Sequence, residues 1–384
     1  MANTLTNLIP SVYSALDVVS RELVGLIPAV TIDPQTSRAA KDQTVYVHQA
    51  PAATAGDITP AVTPPDDGDQ TIGNTSLSIT KSRRVPFRWN GEQTLGVNNG
   101  GPGVSAIQQN QLEQAIRTLV NEMEADLAAL HTTFSRAYGT AATTPFGTAG
   151  DFTDASEVRR ILKENGAPLG DNQLVLNSAA AAKLIGKQAQ SYMQGSDSIL
   201  RQGVLLDHAG MALRESAQIL TSTAGTASSA TTDAAGYAVG ATTITLASAG
   251  TGTLVAGDVV TFAGDSNKYV IATGDADVSN GGTIVLAAPG LKVAMSAATK
   301  AITVVAAAAR NMAFSRSAIV LATRLPALPD GGDMAADRTT ITDPRSGLSF
   351  ELAMYKQYRQ VQYELSAAWG VKNVKPAHTG LLLG

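Results

Sequence analysis

SAIQQNQLEQAIRTLVNEMEADLAALHTTFSRAY, residues 105–138, is the longest regular stretch of the chain. Leu112, Ile116, Leu119, Val120, Met123, Leu127, Leu130 and Phe134 recur at spacings of three and four, which sets them on one face of a helix. Ser105 and Gln108 fit a capping box just after Gly101-Pro102-Gly103, and Gly139 supplies a stop. At about 1.5 Å per residue such a helix spans roughly 50 Å. A rod of that length is the backbone of a flat domain, not the wall of a pocket. Its wet side is expected to carry Glu113, Glu122, Glu124 and Asp126.

Upstream, the pattern changes twice. Residues 8–27 read as an amphipathic helix, with Leu8, Val12, Leu16, Val19, Leu23, Leu26 and Ile27 on one face and Pro28 as the stop. An irregular stretch from Thr31 to Lys41 follows. Residues 43–90 read as a long two-stranded excursion. Thr44–His48 is a short β run, and a tip rich in Pro, Asp and Gly follows it. Along the return strand Leu77, Ile79, Val85, Phe87 and Trp89 share one parity, while Ser76, Ser78, Thr80, Ser82, Arg84 and Arg88 share the other. A hairpin with one greasy face is unstable alone. It must lie on its own body or on a neighbour.

Downstream, residues 154–165 predict a second helix, with Asp154 and Glu157 as its capping box and Gly166 as its stop. Gln173–Asn177 reads as a buried strand and Ser178–Ile185 as a helix. From Ala224 the chain turns to Gly, Ala, Ser, Thr and Val. Short β runs appear at 242–246, 258–262, 268–272, 283–287 and 301–305, separated by turn residues. They predict a small all-β barrel or sandwich set inside an α+β domain, whose mixed pattern resumes from Asn311.

Composition narrows the classes. Hydrophobic residues make up 44% of the 384 and charged residues 16%, low against the roughly one quarter usual for soluble domains. Such a surface suits burial against other subunits. The net charge of −4 is no footprint of a polyanion binder. Cysteine is absent, which fits a reducing compartment. Met1-Ala2-Asn3-Thr4 lacks a basic leader, and no apolar run reaches the length of a membrane span. No membrane association is therefore expected.

His48, His131, His208 and His378 show no metal-ligand spacing. No nucleophile elbow or phosphate loop is present. Gly101-Pro102-Gly103-Val104-Ser105 mimics a dinucleotide turn, but Pro102 lacks the N–H that would face a phosphate. Asp275–Gly281 hints at a calcium loop, yet Asn280 and Leu286 stand where Gly and Glu are needed. These readings predict no catalytic residue, no cofactor and no metal, hence no enzyme. The remaining cluster is Lys81, Arg83, Arg84 and Arg88 beside Trp89, a basic patch suited to a neighbour's carboxylates.

The order of elements resembles the Hong Kong 97-type capsid fold of tailed bacteriophages, and most nearly the coat proteins of the short-tailed Salmonella phage group, which carry an inserted β domain. Residues 251–264 (TGTLVAGDVVTFAG) look like a strand–turn–strand of that insertion, residues 311–326 (NMAFSRSAIVLATRLP) are similar to the re-entry into the axial domain, and residues 368–376 (AWGVKNVKP) resemble the closing strand. Ser315-Arg316-Ser317 departs from the His-Arg-Asp of related sequences, so no role is carried to those positions.

The resemblance implies an α+β chain divided into an N-terminal arm (1–42), an extended hairpin loop (43–100), spine helix and peripheral domain (101–170), axial domain (171–223), inserted β domain (224–306), and the rest of the axial domain with closing peripheral strands (307–384). It implies a major capsid protein that self-assembles as hexamers and pentamers into an icosahedral shell around double-stranded DNA, without reading its sequence. A portal protein is an implied partner, and a decoration protein a further one. Because the arm begins within ten residues of Met1, a separate scaffolding protein is expected. The location is the virion, after assembly in the bacterial cytoplasm. A phage-borne enzyme or an adhesin with a β module is the alternative. Inter-subunit contact is expected at Leu77, Ile79, Lys81, Arg83, Arg84, Val85, Phe87, Arg88 and Trp89, laid across a neighbour's spine helix because little within one subunit covers them.

Overall fold

The computed structural model describes residues 25–49, 53, 55–63, 68–69, 71–100, 104–148, 151–190, 207–342 and 348–384. The helix expected over 8–27 lies mostly outside them. Within them, Leu26 and Ile27 are buried, and Pro28 sits inside a 3-10 turn, Ile27–Ala29.

The chain opens with β1 (Thr31–Ala39), β2 (Thr44–Gln49), β3 (Gly73–Ser78) and β4 (Lys81–Asn90). The irregular stretch expected from Thr31 is thus a strand. It pairs in parallel with a strand near residue 320, and its register slips between Pro34 and Arg38. Proline lacks a ladder donor, so the strand sits at the sheet edge with an irregularity there. The predicted single return strand is two, broken at Ile79-Thr80.

Helix α1 (Gly91–Gly100) and helix α2 (Val104–Ala129) come next, then β5 (Arg136–Tyr138). The long helix ends nine residues earlier than its pattern predicts. Leu130–Thr133 tightens into a 3-10 turn, where Thr133 Oγ1 donates to the Leu130 carbonyl at 2.8 Å. Beyond it, Arg136–Tyr138 is claimed by ladders on both sides. Tertiary pairing here overrides a helical period.

Helix α3 (Thr153–Glu164), β6 (Asn172–Leu176) and helix α4 (Ser178–Gln190) follow the predicted positions, and α4 runs five residues longer. The predicted capping box is not made. Asp151 Oδ1 accepts from the Thr153 N–H instead, and Asp154 accepts from the Phe146 N–H. After β7 (Met211–Glu215) and β8 (Thr221–Ser222), the Gly/Ala/Thr-rich region holds β9 (Thr243–Leu246), β10 (Val259–Phe262), β11 (Lys268–Thr273), β12 (Gly282–Leu286) and β13 (Ile302–Val304). All five predicted runs are strands. The chain closes with β14 (Ala308–Ser315), β15 (Ile319–Pro326), β16 (Asp337–Thr342), β17 (Ser349–Gln357), β18 (Gln360–Asn373) and β19 (Thr379–Leu383). Among the described residues this last part is strand and 3-10 turn without an α-helix, where a mixed pattern was expected.

Two large sheets result. One runs β1-β15-β18-β17-β16, with β4 also on β18; the other runs β13-β10-β11-β5-β19-β14-β6-β7, with β12, β9 and β8 attached. The β9–β13 region packs its own core around Ile244, Val260, Phe262, Tyr269 and Ile284. It is not a separate barrel, because β11 pairs with β5 and so joins it to the main sheet. The apolar stripe of α2 (Leu119, Val120, Met123, Leu127) packs against Trp369, Phe350, Leu365 and Phe314 from both sheets.

Candidate functional site

The basic patch and its apolar stripe ride on β3 and β4. Strand β4 pairs antiparallel with β18 along its whole length, from Lys81 opposite Trp369 to Asn90 opposite Gln360. This pairing turns the stripe inward. Leu77 and Ile79 are buried with Ala39, Val320, Ala322 and Ala368. Val85 packs against the core around α2. Phe87 stacks on Tyr363 with ring centroids 5.3 Å apart. Trp89 is 7% exposed, and its Nε1–H donates to Gln111 Oε1 at 2.8 Å.

The expectation that one subunit cannot cover this face is therefore corrected. The partner strand was invisible from residues 77–89 because it lies some 280 residues later. The backbone fit is close: a Cβ added at Gly370 would stand 2.0 Å from the Ser78 carbonyl oxygen. Only glycine lets β18 pass β3 at that point.

The charges also meet inside the chain. Lys81 Nζ donates to Glu122 Oε1 at 3.0 Å and to Asp126 Oδ1 at 2.8 Å. Arg83 donates to Glu122 at 3.0 Å, and Arg84 to Glu364 at 2.7 Å. Asp126 takes a further bond from Trp369 Nε1 at 2.8 Å. Burial alone would lower the Lys81 ammonium, but the hydrogen bonds and charges of Asp126 and Glu122 together hold it above its ordinary value. The expected pairing of hairpin bases with spine-helix acids exists, but in cis. Arg88 is half-buried and engaged elsewhere.

Glu124 was expected on the wet side of the helix. It is 1% exposed. Its Oε1 accepts from the Gly25 N–H at 2.6 Å, the Leu26 N–H at 2.5 Å and Ser216 Oγ at 2.9 Å, and its Oε2 accepts from the Ile27 N–H at 2.9 Å. Burial pushes this carboxyl up, and the four donors only partly oppose the rise. One side chain therefore holds residues 25–27 and Ser216 against α2. No sequence signal marked it, since its partners lie about a hundred residues away.

Apolar side chains stay uncovered at both ends of this strand system, besides Tyr46 on β2. On the excursion beyond β2 and β3, Ile58 is 99% and Val62 105% exposed. At the other end, α1 and the β17–β18 turn frame a groove of about 1020 Å³. Leu95 and Tyr358 line it and are 62% and 88% exposed. Among the described residues no group of three or more His, Asp or Glu could hold a metal, and no helix is long and apolar enough to cross a membrane.

No family model matches the sequence, and no curated protein matches it. Solved structures do. A chain from the capsid structure of the cyanophage P-SCSP1u aligns with a TM-score of 0.50 at 10% identity, over 99% of this chain and 92% of that one. A chain from the capsid of a native GTA particle aligns at 0.49 and 10% identity, over 100% and 95%. One from Mycobacterium phage Che8 aligns at 0.47 and 14% identity, over 99% and 98%. The cyanophage alignment, over nearly the whole of both chains, shows a shared fold: an α+β capsid-chain fold.

Proposed function

We propose that the chain is a phage major capsid protein, a structural subunit that assembles with copies of itself into a closed shell. The fold shared with the cyanophage capsid chain supports this. The observation that carries it is the exposure of Ile58 and Val62 on the excursion between β2 and β3. A stable monomer has no reason to hold Ile58 and Val62 bare in water between β2 and β3, whereas a subunit that gives this segment to a neighbour does.

The finer reading goes with it: the Hong Kong 97-type fold with its inserted β domain, and the boundaries 1–42, 43–100, 101–170, 171–223, 224–306 and 307–384. So do hexamers and pentamers around double-stranded DNA, scaffolding, portal and decoration partners, assembly in the host cytoplasm, and the absence of enzymatic activity. The strand residues keep a part in assembly through their exposed faces, chiefly Arg83 and Arg84, which stay more than half exposed while paired.

The test is expression of the full chain, followed by size exclusion and electron microscopy. Closed shells, tubes or capsomer-sized rings are expected, dissociating in SDS to one band at the subunit mass. Monomers under all salt and concentration conditions would overturn the reading. A ladder of SDS-resistant bands would overturn its non-covalent character.

A further inference from the structure

We infer that the groove framed by α1 and the β17–β18 turn binds an unpaired stretch of nucleic acid, with Tyr358 stacking on a base and Lys356 and Arg359 meeting the flanking phosphates. One copy of the chain carries the whole groove, so the site does not depend on the shell reading.

The turn gives the first argument. Gln357 pairs with Gln360, which leaves Tyr358 and Arg359 as a two-residue hairpin loop. Asn-Gly and similar pairs usually fill such loops, because the turn needs a positive φ. Here Arg359 takes φ 55°, at a cost that glycine would avoid. Tyr358 stands 88% exposed, with the Arg359 guanidinium carbon 5.9 Å from its ring centroid. Neither side chain serves the core. A loop that breaks its own turn rule to hold a bare aromatic ring beside a cation is built for a partner.

Charge and amide chemistry give the second argument. Lys81, Arg83 and Arg84 are neutralised by acids of the same chain. Lys356 and Arg359 are exposed and have no ion pair among the described residues, and Glu92 is the single acid of the groove. In a chain of net charge −4 this local positive field draws a polyanion here and not to the surface at large. The groove, about 1020 Å³, is also lined by the side-chain amides of Asn98, Gln108, Gln357 and Gln360. An amide offers donor and acceptor together, which matches the edge of an unpaired base. A stacking ring, base-edge amides and two cations are the parts of a single-strand site. An acidic peptide would answer the charges but leave the exposed ring without a flat face to stack on.

Fluorescence anisotropy of the unassembled full chain tests the site, with labelled oligothymidylate and oligouridylate about a dozen nucleotides long and a DNA duplex of the same length as control. Single strands are expected to bind, and the duplex, whose base faces are closed, to bind several-fold more weakly. A preference between the two strands names DNA or RNA as the source, and either supports the site. Two phosphate contacts give a salt slope of about −1.4, which Lys356→Gln combined with Arg359→Gln brings towards zero. Tyr358→Ala should weaken binding about fivefold or more, and Tyr358→Trp should keep it. Arg359→Gly relaxes the turn, so weaker binding at an equal or higher melting temperature separates binding from folding. Equal affinity for the duplex, indifference to Tyr358→Ala, or no binding at all would overturn the proposal. So would failed shell assembly in Tyr358→Ala with no oligonucleotide bound by wild type, which would give the groove to a second copy. Failure of the wild-type chain to form shells while it binds single strands would overturn the shell reading and leave this site standing.

Discussion

Replacing Glu124 separates burial from hydrogen bonding where residues 25–27 meet α2. The carboxylate serves four donors: the N–H groups of Gly25, Leu26 and Ile27 and the hydroxyl of Ser216. Glu124→Ala leaves all four without their acceptor. A buried unpaired donor costs about 1–3 kcal/mol. Water entering the vacated space and relief of the buried charge both reduce the sum, so a loss of about 4 kcal/mol is expected. Glu124→Gln keeps one acceptor oxygen but turns an NH2 toward a donor, a loss of about 2 kcal/mol by the same rule.

The pH dependence has a definite sign. Burial raises this carboxyl above its ordinary value of 4.5 in the folded chain. The folded state then binds the proton more tightly than the unfolded state does. Stability from this group is fully present below 4.5 and is lost as pH rises through the folded value. The penalty of Glu124→Gln therefore shrinks as pH climbs from 4.5. Urea titrations of unassembled wild type and both variants, from pH 4.5 to neutrality, measure this. Amide exchange at residues 25–27, faster in Glu124→Ala, reports the joint itself. A penalty that grows with pH would refute the dominance of burial, and one under about 0.5 kcal/mol for Glu124→Ala would refute the anchor.

Trp89→Ala should destabilise the unassembled subunit by about 3–5 kcal/mol, because the ring is buried and bonded to Gln111; an unchanged melt with failed assembly would instead make it an interface residue. Arg88→Ala, half-buried on the same strand, should cost less than Trp89→Ala in the same measurement. Gly370→Ala should prevent β3 and β18 from seating together, since the new methyl would meet the Ser78 carbonyl oxygen at 2.0 Å; a circular-dichroism melt within a degree or two of wild type would contradict that.

Legibility followed the range of the information. The stripe on α2 could be read because its period is local, and it held through Leu127. Its end could not, because Leu130 and Phe134 keep the helical spacing while β5 is recruited by β11 and β19 from far along the chain. The five short strands of 243–304 were legible from local β runs and turn residues. Strand β1, TIDPQTSRA, was not, since its proline reads as a loop until its edge position is known. Helix α1, GEQTLGVNNG, has too many glycines to announce itself. At the site, the residue types and their mutual pairing were legible. Whether they met within or between chains was not, because parity shows that a face is apolar and not what covers it.

On the shell reading, that correction changes where cohesion between copies comes from. With Leu77, Ile79 and Trp89 buried in the subunit's own interior, the strand cannot also give them to a neighbour. Among the exposed apolar side chains, Ile58 and Val62 are wholly bare, each worth about 1.5–3 kcal/mol if fully buried. Ordering them and the side chains they meet takes back about 0.5–1.5 kcal/mol for each side chain fixed. One such contact is weak. On that reading each copy both gives and receives such contacts, so a closed ring of copies adds a contact without losing another free subunit. Weak single contacts let a misplaced subunit leave before closure, and closure then holds the correct ones. On the shell reading the folded subunit keeps its own core, and assembly stays reversible until the last contact forms.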